Sequence, residues 1–153
     1  MKKLFFLCSL LFSVTITPAQ TKPKPSAKAP VGAMQKLLAG TGLPFTIVSD
    51  SLAVIPYEGR NIASYQVLVQ KVNDLYIIYC NLTEALPGKI DETKFKYLLE
   101  QNDHFDVVKI GLGNDNTAYV RADLYRSTLN TTLLLRIIKQ VANVTNIIAG
   151  DLK

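Results

Sequence analysis

The feature that most constrains the fold is an apolar run, Leu75 to Leu82, in which only Asn81 is strongly polar. A strand with one solvent-exposed face alternates apolar and polar residues, whereas this run is apolar at both its odd and its even positions. It therefore predicts a central strand, or one whose second face is also covered. Cys80 lies in this run and is the only cysteine outside a predicted leader, so we expect a buried, unreactive thiol and no internal disulfide.

Five further β-prone runs surround this segment, three before it and two after it. They are Phe45 to Val48, Leu52 to Tyr57, Tyr65 to Lys71, Val107 to Leu112 and Ala118 to Leu124. In Tyr65 to Lys71 the apolar and polar residues alternate, which is typical of a strand with one buried face. The last two runs are joined by Gly113-Asn114-Asp115-Asn116, a turn chemistry that predicts a β-hairpin.

Three helices are predicted around these strands. The first covers Met34 to Leu38, and the second follows the N-cap Asp91, with Ile90 and Phe95 spaced as a hydrophobic staple. The third runs from Thr131 to Ile148. Its apolar residues recur at spacings of three and four: Leu134, Ile137, Val141, Val144 and Ile148, widened by Leu133, Ile138 and Ile147. We therefore predict an α+β fold, an antiparallel sheet flanked by helices, in the order helix, three or four strands, helix, two strands, helix.

The charge distribution argues against a nucleic-acid partner. The chain has 17 basic and 12 acidic residues, but five of the basic residues and none of the acidic ones precede Val31. Basic and acidic residues are then equal in number from Val31 onward, 12 of each. A protein that follows a phosphate backbone needs a concentrated basic face, and the predicted domain shows none in its sequence.

The first residues are typical of an export signal. Lys2 and Lys3 precede a mostly apolar stretch, Leu4 to Ile16, that ends in small residues before Gln20. The stretch is too short and too interrupted for a membrane span. We predict a signal peptide at 1–19, a flexible linker rich in proline and lysine at 20–32, and one α+β domain at 33–153. The mature chain is then expected in the periplasm or outside the cell, with no stable membrane span.

No pattern in the sequence favours catalysis. The one local group of titratable residues is Asp103, His104 and Asp106, at a predicted connection between helix and strand. Nucleophile, metal-ligand and cofactor-loop motifs are missing. We predict a protein that is not an enzyme, with no catalytic, cofactor-binding or metal-binding residues. A hydrolase centred on His104 is kept as a third hypothesis.

Tyrosine and arginine are enriched at protein interfaces, and the predicted domain contains all seven tyrosines. On the second hairpin strand, Tyr119 and Arg121 point opposite Val120 and Ala122 if the strand is regular. The candidate protein-binding residues are Tyr57, Tyr65, Tyr76, Tyr119 and Arg121. They predict an exported, noncatalytic protein-interaction domain. A module that binds a small ligand or a lipid is the alternative, and it would need a deep apolar cavity.

The segments FKYLLEQN at 95–102, VVKIGL at 107–112 and AYVRADL at 118–124 together resemble the type III secretion chaperone-like superfamily, in particular its YbjN-like branch. GLPF at 42–45 and the run Leu75 to Leu82 fit the same layout. The resemblance covers about Met34 to Ile148 and consists of apolar patterns and turns.

The resemblance implies a small α+β protein without a cofactor, often a homodimer, that binds a protein or peptide partner. Chaperones of this superfamily hold extended segments of client proteins on apolar patches and sheet surfaces. The predicted export signal departs from them, because secretion chaperones load their clients in the cytoplasm. The resemblance therefore implies the fold and protein binding, and it does not imply a role in secretion.

Overall fold

The computed structural model of the chain describes residues 32–82, 91–113 and 117–152. Its elements in chain order are α1 (Ala33–Ala39), β1 (Thr46–Ser49), β2 (Leu52–Tyr57), β3 (Tyr65–Val72), β4 (Leu75–Asn81), α2 (Glu92–Glu100), a 3-10 helix (Gln101–His104), β5 (Lys109–Leu112), β6 (Ala118–Tyr125) and α3 (Thr131–Asp151). This confirms the predicted α+β fold and its element order. The predicted signal peptide, nearly all of the predicted linker, Ile90 of the staple and the Asn114-Asp115-Asn116 turn lie outside the described residues.

The six strands form one open antiparallel sheet in the order β1-β2-β3-β4-β6-β5. Strand β4 pairs with β3 on one side and with β6 on the other, so it is the central strand that its apolar run predicts. The hairpin of β5 and β6 is also as predicted, although β5 begins at Lys109 and Val107 is 46% exposed. Both faces of β4 are apolar, but only one of them faces the described helices.

Helix α3 covers one face of the sheet, which we call the core face. Its stripe Leu134, Ile137, Val141, Val144 and Ile148 is buried, as predicted. Opposite it lie the buried residues of the strands, among them Ile55, Val67, Ile78, Cys80 and Val120. The Cys80 thiol is buried, as predicted. Ile147 differs from the prediction because it is 40% exposed: it lies at the rim of the stripe, where the helix surface turns away from the sheet.

Side-chain hydrogen bonds fix the helix starts and one loop. The Asp91 carboxylate accepts the backbone N–H of Lys94 at 2.9 Å and caps α2 as predicted, and Asn130 caps α3 in the same way through Leu133. The loop at 58–64 between β2 and β3 is tied to α3. There the Asn61 N–H donates to Asn146 Oδ1 at 2.9 Å, and Asn61 Nδ2 donates to the Asn146 carbonyl at 2.8 Å.

The outer edge of β5 is closed by one side chain. Asn102, in the 3-10 helix, accepts the backbone N–H of Ile110 at 2.7 Å through Oδ1 and donates to the Ile110 carbonyl at 2.9 Å through Nδ2. The side-chain amide thus makes both hydrogen bonds that a neighbouring strand would make at this position. Lys109 Nζ donates to the carbonyls of Asn102 and Phe105 and holds the same connection.

The opposite edge, β1, is short and irregular. It has four residues, and its register with β2 shifts between Ile47 and Ser49. Ile47 and Val48 are 38% and 59% exposed. None of the helices in the described ranges combines the length and the apolar character that crossing a membrane requires.

Candidate functional site

The candidate site is the face of the sheet opposite α3, which we call the open face. On β2, β3, β4 and β6 it comprises the residues that alternate with the buried ones. They are Leu52, Val54, Pro56, Gln66, Leu68, Gln70, Val72, Leu75, Ile77, Tyr79, Asn81, Tyr119, Arg121, Asp123 and Tyr125. All are half-buried or exposed. Among the described elements, no helix packs on this face.

The strand register aligns these side chains in rows across the sheet. Val54 lies opposite Leu68, which lies opposite Tyr79 and then Arg121, and Gln70 lies opposite Ile77 in the next row. Directly opposed side chains in an antiparallel sheet contact one another. The centre of the open face is therefore a continuous apolar and aromatic surface formed by Leu68, Ile77 and Tyr79.

Two charged residues of the open face, Arg121 and Asp123, pair with each other, and Lys109 of the edge strand lies opposite Arg121 on the same face. Arg121 Nε donates to Asp123 Oδ1 at 2.6 Å, and Arg121 Nη2 donates to Asp123 Oδ2 at 2.9 Å. This hydrogen-bonded pairing, together with the charge of Asp123, raises the pKa of Arg121, while its partial burial lowers it. Both side chains are about two-fifths exposed, so the pair is a feature of the surface and adds little to stability.

Two shallow grooves lie on the open face around Tyr119. The first has a volume of about 240 Å³ and lies between Ile77 and Tyr79 on one side and Tyr119 and Arg121 on the other. The second has about 430 Å³ and continues past Gly111 to the edge strand. A Cβ atom at Gly111 would lie 2.7 Å from the Tyr119 ring, so this glycine lets the ring lie flat over the neighbouring strand.

The structure divides the five predicted binding residues between the two faces of the sheet. Tyr119 and Arg121 lie on the open face and line the same groove. Tyr65 and Tyr76 lie on the core face and are 7% and 3% exposed, and Tyr57 is half-buried beside Tyr65. The four tyrosines therefore do not lie on one surface, because the two-residue period of a strand fixes which face each side chain takes. That any of the five residues binds a partner stays a prediction.

Tyr65 and Tyr57 contribute to packing beside α3. The Tyr65 hydroxyl donates to the Ala142 carbonyl at 3.0 Å, and its ring stacks on Tyr57 with centroids 5.8 Å apart. Burial, with smaller contributions from Cys80 and Tyr57, raises the pKa of Tyr65 to about 12. The Tyr57 hydroxyl is buried, and no described group forms a hydrogen bond with it.

The residues that the sequence reasoning missed are Leu68, Ile77 and Tyr79 at the centre of the open face. For Ile77 and Tyr79 the sequence signal is the run Leu75 to Leu82, in which the residues on both faces of the strand are apolar. In β3 the alternating pattern indicates one apolar face, and the half-buried Leu68 interrupts the otherwise polar opposite face.

Asp103, His104 and Asp106 lie along the 3-10 helix and the connection to β5. His104 and Asp106 line a small pocket of about 200 Å³ with Gln140, Asn143 and Val144 of α3. Within the described ranges, no three His, Cys, Asp or Glu side chains come together as a metal site would require. The predictions of a noncatalytic protein and of the alternative ligand-binding module both stay predictions.

Comparison with known proteins identifies the fold. No protein-family model matches the sequence, and no curated protein matches it. Among solved structures, the chain is similar to a chain of the heterodimeric complex ExoU-SpcU from the type III secretion system of Pseudomonas aeruginosa, with a TM-score of 0.52 and 14% identity over 75% of this chain and 93% of that one. It is also similar to YbjN from E. coli, with a TM-score of 0.50 and 9% identity over 76% of this chain and 85% of that one. The chain therefore has the same α+β fold as these two structures, which is the fold that the resemblance in its sequence predicts.

Proposed function

We propose that this chain is an exported, noncatalytic protein-interaction domain that binds a protein or peptide partner on its open face. The observation that carries the proposal is the composition of that face. Of its fifteen residues on four strands, only Arg121 and Asp123 are charged, and they pair with each other. The edge strand β5 adds one further charge, Lys109, at the margin of the face. A sheet face that remains in water is normally polar, and a contiguous apolar surface marks an interaction site.

The similar structures support the type of partner. SpcU forms a heterodimeric complex with ExoU, so a protein of similar fold binds another protein. The open face offers flat aromatic side chains and shallow grooves. These features suit an extended or flat protein surface better than a small molecule, which prefers a deep pocket.

Export is proposed from the sequence of the leader. The basic start, the apolar stretch and the small residues before Gln20 make up the three parts of a signal peptide. Fractionation of the native host, followed by mass spectrometry of the N-terminus, tests this part. We expect a chain that begins at Gln20 and lies beyond the inner membrane. An unprocessed chain in the cytoplasm would refute export and leave the binding proposal intact.

Binding is tested by capture from the native host and then by titration with the identified partner. The full chain carries a C-terminal tag, and Ile77→Lys is compared with Leu99→Lys, which places the same charge on an apolar residue of α2 that is 51% exposed. We expect Ile77→Lys to raise the dissociation constant for the partner at least tenfold and Leu99→Lys to leave it unchanged. Equal affinities of the wild type and Ile77→Lys would refute the open face as the binding surface.

A further inference from the structure

The ring of Tyr119 lies between the two grooves of the open face. It leans over Gly111 on the neighbouring strand, where a Cβ atom would lie 2.7 Å from the ring. Tyr119 is half-buried and lines both grooves, so the ring face that is turned away from Gly111 is accessible from the open face. An aromatic ring in this position is a platform on which another ring can stack.

Groups that donate and groups that accept hydrogen bonds lie beside this ring in the first groove. Two N–H groups of the Arg121 guanidinium donate to Asp123, and a guanidinium has five, so others can donate to a ligand. The Gln70 amide lines the same groove from β3, and no group in the described ranges hydrogen-bonds it. An amide offers both an acceptor and donors. The first groove therefore combines an aromatic surface with hydrogen-bonding groups of both kinds.

The charge and the size of the grooves limit the class of ligand. Among the described residues that line the first groove, only Arg121 is charged, and Asp123 balances its charge. The second groove adds Lys109, whose Nζ donates to the carbonyls of Asn102 and Phe105 at the margin of the face. The grooves have volumes of about 240 and 430 Å³, at the lower end of the range of about 300 to 1,000 Å³ for small-molecule sites. A neutral ligand built of small rings fits these limits.

We propose that the two grooves bind a neutral polysaccharide, with one pyranose ring stacked on Tyr119 and the neighbouring units along the grooves. The C–H groups of a pyranose are slightly positive, so the negative face of an aromatic ring attracts them. Its hydroxyl groups both donate and accept, and they match the Gln70 amide and the pair of Arg121 and Asp123. The inference goes beyond the proposed function, because it assigns part of the open face to a second class of ligand.

NMR titration of the full chain, purified as it accumulates in its host, tests the inference. The probes are three neutral hexasaccharides, cellohexaose, mannohexaose and chitohexaose, each used separately. We expect at least one of them to shift the signals of the Gln70 side-chain amide, the Arg121 Nε–H and the Tyr119 ring in a saturable manner. Tyr119→Ala should raise the dissociation constant about tenfold, because the stacking surface is lost, whereas Tyr119→Phe keeps the ring and should bind nearly as well as the wild type.

Tyr125→Ala is the matched control. Tyr125 lies on the same strand and the same face as Tyr119, is 66% exposed and lines neither of the two grooves. Its alanine variant should bind the hexasaccharides like the wild type. Gly111→Ala keeps the Tyr119 ring but displaces it from its place over β5, so it should also weaken binding. Circular dichroism and the melting temperature establish that each variant is folded.

Two results would overturn the inference. One is that none of the three hexasaccharides gives a saturable shift, and the other is that Tyr119→Ala and Tyr125→Ala bind alike. Either result leaves the proposed function intact, since binding of the captured protein is measured separately with Ile77→Lys. Conversely, a captured protein that binds Ile77→Lys as tightly as the wild type refutes the proposed function and leaves the sugar site standing.

Discussion

Substitution of Asn102 tests whether its side chain stabilises the β5 edge of the sheet. In Asn102→Ala the backbone N–H and carbonyl of Ile110 lose partners at 2.7 and 2.9 Å. Ile110 is 3% exposed, so water replaces those partners incompletely. At about 1 kcal/mol for each hydrogen bond, we expect the free energy of unfolding to fall by about 2 kcal/mol. For a domain of this size that lowers the melting temperature by about 6 to 10 °C.

Asn143→Ala is the matched control. Asn143 is exposed on α3, and its side chain makes no hydrogen bond within the described part of the chain, so this change should leave stability equal or slightly higher through helix propensity. Urea unfolding measures the free energies, and amide hydrogen exchange by NMR measures protection at Ile110. The reasoning is refuted if Asn102→Ala and Asn143→Ala unfold alike, or if the Ile110 amide keeps its protection in Asn102→Ala.

Three further predictions concern individual hydrogen bonds. The pKa of Tyr65 is about 12 in the folded chain, whereas an unfolded tyrosine has a pKa near 10. The stabilisation from the protonated Tyr65 hydroxyl is therefore complete below pH 10 and is lost as the pH rises toward 12. Tyr65→Phe, which loses the bond to Ala142, should cost about 1 kcal/mol at neutral pH and flatten this alkaline decline in urea unfolding curves; an unchanged decline would contradict the assignment. Asn146→Ala should lower the free energy of unfolding by about 1 kcal/mol and speed hydrogen exchange at the Asn61 amide. Unchanged exchange at Asn61 would contradict the proposal that this hydrogen bond holds the loop against α3. Asp91→Ala should cost about 1 kcal/mol by thermal unfolding and its serine replacement much less, and equal losses would contradict a capping role.

Much of the fold could be predicted because local patterns determine the elements. The two-residue alternation of β3, the doubly apolar run of β4 and the helical spacing in α3 each indicate the correct element without tertiary information. The strand order was harder to predict from the sequence. Strand β6 pairs with β4, although α2 and β5 lie between these two strands in the chain. The Asn102 contact with Ile110 has no sequence signal, since it depends on where the 3-10 helix meets the edge strand.

The candidate site was harder to predict than the fold because it depends on which face of the sheet the helices cover. Tyr65 shares its parity with Val67 and Val69, so the sequence already contained a reason to place it in the core. Tyr76 and Tyr79 lie three positions apart on one strand and therefore face opposite sides. Since β4 is apolar on both faces, the sequence does not show which face α3 covers, and it is the packing of α3 that buries Tyr76 and not Tyr79.

The position of α3 in the chain has a consequence for biosynthesis. All six strands precede α3 in the chain, so until α3 has packed, the residues that it covers are exposed together with the open face. During that interval both surfaces of β4 are accessible to other hydrophobic chains. A general holding chaperone that binds the chain before α3 has packed is therefore expected to reduce its aggregation.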